Sequence, residues 1–273
     1  MSNPSPPAFP PSYMLLQQEG YLISSSLTTG LTELRAAHVH NKGAFYTALF
    51  NLSVGFERLL KAIVIIDHML DNGLAVPTKI QLQARGHKIV DLYDECERIG
   101  VKRQLHIPSR TQLDAIDQEL LLLLSDFARV TRYHNLDALS ASQNGADPLA
   151  RWGQLIITIL SHDVPKRQKD KILAQANIVA TAIDDVTFTL MHGLDQTPLT
   201  TSEALSLPGL HEQAVRFAVL RFVKILSPVR DLLAGVSHGA YGFGPVPAFP
   251  QMHEFLEWLW DDRQYVLRKK KWP

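Results

Sequence analysis

The chain has 273 residues, 46% of them hydrophobic and 20% charged, which gives enough apolar material for a substantial core and excludes a disordered chain. Its 27 lysines and arginines balance 27 aspartates and glutamates, so no global positive field argues for nucleic acid, and any such contact has to come from a local basic patch. The single cysteine, Cys96, excludes an intramolecular disulfide framework and a cysteine-rich zinc site, and makes a reducing cytoplasm the expected location.

The opening stretch "MSNPSPPAFPP" has neither the basic start nor the apolar run of a secretory signal, and residues 1–12 read as a proline-rich flexible lead-in. Residues 13–40 read as a first helix, weakened in its middle by serines and threonines. The second helix is clearer. Phe45, Leu49, Leu52, Phe56, Leu59, Ile63, Ile66 and Leu70 alternate steps of four and three, one stripe of a helix about 39 Å long that should form the centre of the core. "DNG" at 71–73 closes it and "VPT" at 76–78 keeps the chain from continuing. Its most hydrophobic run, "LLKAIVIIDHML", is broken by Lys61, Asp67 and His68 and is too short to cross a bilayer, so no membrane association is expected.

A third helix is expected over 89–99, with Ile89, Leu92 and Tyr93 inward and Gly100 at its end. A fourth starts within "IPSRTQLD", capped by Ser109 or Thr111. Leu113, Ile116, Leu120, Leu123, Phe127 and Val130 then repeat the three-four stepping, and His134 takes the next position on the core side. The loop "ALSASQNGADPLA" divides the chain. Beyond it the pattern predicts helices over 149–161 and 166–192, a Pro/Thr-rich loop over 195–208, a helix from 209 interrupted at Pro228, the loop "GAYGFGPVPAFP" and a terminal helix over 251–268. Nothing alternates with period two and nothing repeats, so the fold class is all-α.

The chain has no phosphate loop, dinucleotide fingerprint or nucleophile elbow. Of its 11 histidines, His38 and His40 would diverge on a helix and no His-Glu-x-x-His pattern occurs, so neither a metal nor a cofactor is expected. Glu57 and Lys61 stand four apart in the favourable order on the second helix. That segment, "ERLLKAI", is followed after one loop by "GHKIVDLYDE". The pair resembles the signatures of the HEPN superfamily, the helical domains of many prokaryotic toxins, defence proteins and nucleotidyltransferase partners. There a Glu-Lys-x-x-Lys-Ala-like run precedes a His-Asp-Leu-like helix start, here Gly86, His87, Lys88 and Ile89. The resemblance covers about residues 15–140 and implies an HEPN-like bundle over 13–140, with 141–273 as a helical extension packed on it. His87 reads either as a cap for the helix that follows it or as a functional group.

The family's ribonucleases carry an Arg-x(4 to 6)-His motif on a late helix, and "RVTRYH" offers Arg129 and His134, with Arg132 and Tyr133 in support. An arginine can hold a phosphate bidentately and an imidazole can move the proton of a 2′-hydroxyl. Val130 stands where those ribonucleases usually carry a polar residue. A five-residue step also separates two side chains by about 140° on an ideal helix. One phosphate is then reached only if the helix loosens near Asn135, or if Arg129 of one chain meets His134 of another in the homodimer that the resemblance implies. Alternatively His134 closes the core stripe, and Arg129, Arg132 and Tyr133 form a solvated or partner-facing edge. A second pair, Arg230 and His238, is spaced too widely for the motif, and "RKKKWP" is a basic tail. Two readings follow. One is a catalytically silent module of a toxin, stress or defence setting that dimerises and binds RNA or a protein partner of antitoxin or nucleotidyltransferase type. The other is a metal-independent endoribonuclease.

Overall fold

The computed structural model describes residues 9–140, 145–244 and 246–273, so the first eight residues of the expected lead-in lie outside it. Pro10 and Pro11 open α1 (Pro11–Ala36), where the missing N–H of proline leaves no helical bond unmade. The helix continues through its serine and threonine cluster, where Leu27, Thr28, Gly30 and Leu31 are buried against a partner helix. That partner is α2 (Lys42–Asp71). A Cβ on Gly30 of α1 would lie 2.8 Å from the Leu52 backbone nitrogen, and one on Gly55 of α2 would lie 3.1 Å from that of Leu27. The two glycines let the backbones approach, and local propensity yields to that packing. On α2 the stripe from Phe45 to Ile66 is at most 1% exposed, with Leu70 only partly covered at the end.

Beyond Gly73, whose φ of +58° suits a residue without Cβ, a Thr78–Gln81 capping box starts the short α3 (Lys79–Ala84). The next helix, α4 (Ile89–Arg103), passes the expected stop at Gly100. That glycine is buried where a Cβ would meet the Leu105 carbonyl at 2.9 Å, so it serves close packing rather than termination. Neither Ser109 nor Thr111 caps α5 (Ala115–Arg129). Its start is set by Asp114, whose carboxylate accepts the Ile116 N–H at 2.8 Å, while Ser109 caps a separate 3₁₀ turn over Arg110–Gln112. The stripe predicts one helix as far as His134, but α5 ends at Arg129. Val130 leaves helical geometry, Thr131–Tyr133 form a 3₁₀ turn, and His134 begins α6 (His134–Leu139).

After α7 (Pro148–His162) and α8 (Lys166–Ile183), residues 187–199 run non-helically, with one antiparallel bridge between His192 and Pro198. A Thr200–Glu203 capping box then starts α9 (Thr201–His238), well before the expected 209. This helix contains both Pro208 and Pro228, each of which removes a ladder bond. It continues because it is buried: Ala214, Ala218, Phe222, Val229 and Leu232 belong to the same apolar cluster as the α2 stripe and as Trp152 and Ile159 of α7. The terminal segment is a 3₁₀ turn over Met252–Leu256 followed by α10 (Arg263–Arg268). The basic tail is docked, with Trp272 buried and its backbone N–H donating to Thr32 Oγ1 at 3.0 Å. Among the described residues there are thus ten α-helices and no strand, and no helix is long and apolar enough to cross a membrane.

Ion pairs fasten the long helix. Arg221 of α9 binds Asp163 at 2.7 and 3.0 Å, Asp117 at 2.8 Å and Asp114 at 3.1 Å, joining α9 to the end of α7 and the start of α5.

Candidate functional site

The end of α5 places the residues that the Arg/His motif singled out, and the break after Arg129 sorts them. Arg129 and Arg132 line one groove of about 290 Å³ together with Phe50, Ser53 and Glu57 of α2 and His87 from the turn before α4. His134 does not line it. The start of α6 puts that imidazole in the interior at 6% exposure, where Nδ1 has no hydrogen-bond partner among the described residues. That burial agrees with the reading in which His134 closes the core stripe. Tyr133 is exposed, with the Arg132 guanidinium 5.3 Å from its ring centroid. The structure therefore brings Arg129 and Arg132 together, leaves Tyr133 at their edge and separates His134 from them.

His87 takes the place in the groove that His134 does not. Its Nδ1 lies 2.8 Å from Glu57 Oε1, so it binds across to α2 and makes no cap to the helix after it. Lys61 Nζ donates to the same Glu57 oxygen at 2.7 Å. Glu57 is mostly covered, whereas the His87 side chain is 68% exposed and its other nitrogen is open to a ligand. The carboxylate fixes the orientation of the ring, the usual way of aiming an imidazole for proton transfer. Among the described residues neither Arg129 nor Arg132 makes a hydrogen bond or ion pair, so both guanidinium groups can accept an anion. The groove combines two free cations, an oriented imidazole and an apolar wall from Phe50, Val54 and Phe127.

The sequence signal for the Glu57–His87 contact was present in the two stretches "ERLLKAI" and "GHKIVDLYDE", which meet through those two side chains. The second Arg/His pair has no such arrangement, because Arg230 is held by Asp231 at 2.8 Å and by the Leu259 carbonyl. No group of three or more histidine, cysteine or acidic residues placed to hold a metal ion occurs among the described residues. Set against protein-family models, curated proteins and solved structures, the chain finds no match in any of the three.

Proposed function

We propose that this chain is an HEPN-like helical module of a toxin, stress or defence setting that holds single-stranded RNA by its phosphates in the α2–α5 groove. The observation that carries the reading is the pair Arg129 and Arg132, lining one groove with no anionic partner among the described residues. A chain of zero net charge has to gather its RNA contacts in such a patch, and guanidinium groups match phosphate geometry. The contact between the two stretches on which the HEPN resemblance rests supports the same reading. The module acts as a two-fold homodimer. Tyr133, Leu136 and Leu139 form an exposed apolar ledge beside Arg132 that suits a second copy, and an antitoxin or nucleotidyltransferase-type protein is the other occupant that the resemblance implies.

One observation favours a second reading, a metal-independent endoribonuclease. The Glu57-oriented imidazole of His87 shares the groove with both arginines, so His87, in place of His134, would move the proton while Arg129 and Arg132 hold the phosphate.

Anisotropy of a labelled single-stranded oligouridylate, titrated between about 50 and 200 mM salt, tests the binding. The double variant Arg129→Ala/Arg132→Ala is expected to bind at least about tenfold more weakly, and its salt dependence should flatten by about 1.4 in log-log slope, about 0.7 for each lost phosphate contact. Unchanged affinity and slope would remove the proposal. In a cleavage assay with EDTA, His87→Ala should abolish activity and His134→Ala should retain it; a parent that binds without cleaving leaves the silent module.

A further inference from the structure

A second cavity, far in sequence from the groove, gathers two side chains that have no hydrogen-bond partner among the described residues. It lies where the end of α1, the first half of α9 and the docked tail meet, has a volume of about 440 Å³, and is lined by Arg35, His38, Pro208, His211, Glu212 and Lys270 among others. Arg35 is 7% exposed, yet it makes no hydrogen bond or ion pair among the described residues, and its Nε is buried without a partner. His211 is 1% exposed, and both of its ring nitrogens lack partners among the described residues. A buried guanidinium nitrogen without a partner is unfavourable in a fold, and an imidazole with neither nitrogen engaged adds to that penalty. Two such groups in the lining of one open cavity mark a place where a ligand supplies the missing partners.

The local charge specifies the ligand. Arg35, Arg216 and Lys270 all act electrostatically on Glu212, the carboxylate of the lining. Glu212 is itself engaged by Arg216 at 2.9 Å. Three cations against one carboxylate leave room for an anion of charge about −2, which a phosphate monoester carries near neutral pH. We propose that this cavity binds a phosphate monoester, its oxygens taken by Arg35 and Lys270 and a neighbouring hydroxyl by His211. Burial, with His38 nearby, holds the His211 pKa down to about 4, so at neutral pH the ring offers one donor and one acceptor, as a hydroxyl group requires. The volume exceeds that of phosphate alone and falls in the range of small-molecule sites, and Ala36, Ala37, Pro208 and Gly209 provide the wall for a small organic body. The tail contributes directly, because the anchoring of Trp272 on α1 is what places Lys270 at the rim.

Isothermal titration of the full chain with inorganic phosphate and with adenosine 5′-monophosphate, at constant ionic strength, tests the proposal. Saturable binding is expected for the parent, lost in Arg35→Met and weakened at least about tenfold in Lys270→Ala, a surface change that leaves the core intact should the first variant fold poorly. The Arg129→Ala/Arg132→Ala protein should keep the saturable binding that Arg35→Met loses, whatever anion contact the groove adds in the parent, which separates this cavity from the groove. Tighter binding of the nucleotide means that the phosphate is carried on a small molecule; tighter binding of inorganic phosphate means that the free ion is the ligand. No saturable binding of either by the parent, or binding undiminished in both Arg35→Met and Lys270→Ala, would overturn the assignment.

Discussion

Arg221 and Arg35 have both given up most of their contact with water, and the fold treats them in opposite ways. Arg221, with a side chain 12% exposed, sits among Asp114, Asp117 and Asp163. Burial pulls its pKa down, but hydrogen bonds to Asp163 and Asp117 outweigh that and hold it above the ordinary arginine value. Arg35 is as deeply buried and has no carboxylate in contact among the described residues. Burial and the neighbouring Arg216 lower its pKa, and Glu212 offsets them only in part. A buried cation that the fold answers with carboxylates is a structural clamp. One that it leaves unanswered beside a cavity is a binding group, and the consequences of removing the two must differ.

The largest effect is expected at the clamp. Arg221→Met leaves Asp117 and Asp163 mostly buried without the cation hydrogen-bonded to them, with only the more distant Lys224 still acting on Asp117, so stability should fall by about 3–5 kcal/mol, read as a lower denaturant midpoint at unchanged slope. Burial already raises the Asp117 pKa against the pull of Arg221, so this carboxyl should take up a proton more readily in the variant. A loss below about 1 kcal/mol would place the cluster among ordinary surface ion pairs and dissolve the contrast with Arg35.

A smaller effect, tied to pH, is expected from His211 in the unanswered region. Its folded pKa of about 4 lies below the unfolded value near 6.5. Between those values the unfolded chain binds a proton that the native chain does not, so stability rises with pH across that window and is lost on acidification. The 2.5-unit gap corresponds to about 3 kcal/mol lost between pH 6.5 and 4. Other groups titrate in both proteins, so the difference between the parent and His211→Leu isolates the ring. Parallel stability–pH curves for the two would show that the ring is hydrated in solution.

How far these regions were legible follows from the range over which each is specified. The α2 stripe is visible because burial imposes a period on neighbouring residues, and the helix forms where that period lies. The same period misleads at Val130 and His134, which continue the spacing although the chain leaves helical geometry after Arg129. The prolines of α9 mislead in the other direction, since a local rule about a lost N–H cannot see the packing that holds the helix through Pro208 and Pro228. In the groove, Arg129 and Arg132 could be read because they share a segment, and the Glu57–His87 contact was implicit in two paired stretches. The Arg35 cavity left no trace in the sequence. Its parts come from α1, α9 and the tail, and an unpaired side chain is a property of the assembled fold.

The smallest change in stability, and the sharpest form of the contrast, is expected for Arg35→Met measured without phosphate. Truncating a paired charge is costly because its partners are left behind, but among the described residues no carboxylate is hydrogen-bonded to Arg35 and none would be left bare. Methionine keeps the unbranched stem that packs at the end of α1 and removes a charge that burial disfavours. It also ends the repulsion from Arg216 and frees the Glu212–Arg216 pair from competition. The denaturant midpoint should therefore stay within about 1 kcal/mol of the parent or rise above it, while Arg221→Met falls well below. Phosphate should then stabilise the parent and not the variant, since a ligand that binds only the native state raises stability in proportion to its binding. A loss of several kcal/mol in Arg35→Met without phosphate would mean that the guanidinium already has its partners within the fold, which would make Arg35 a clamp of the same kind as Arg221.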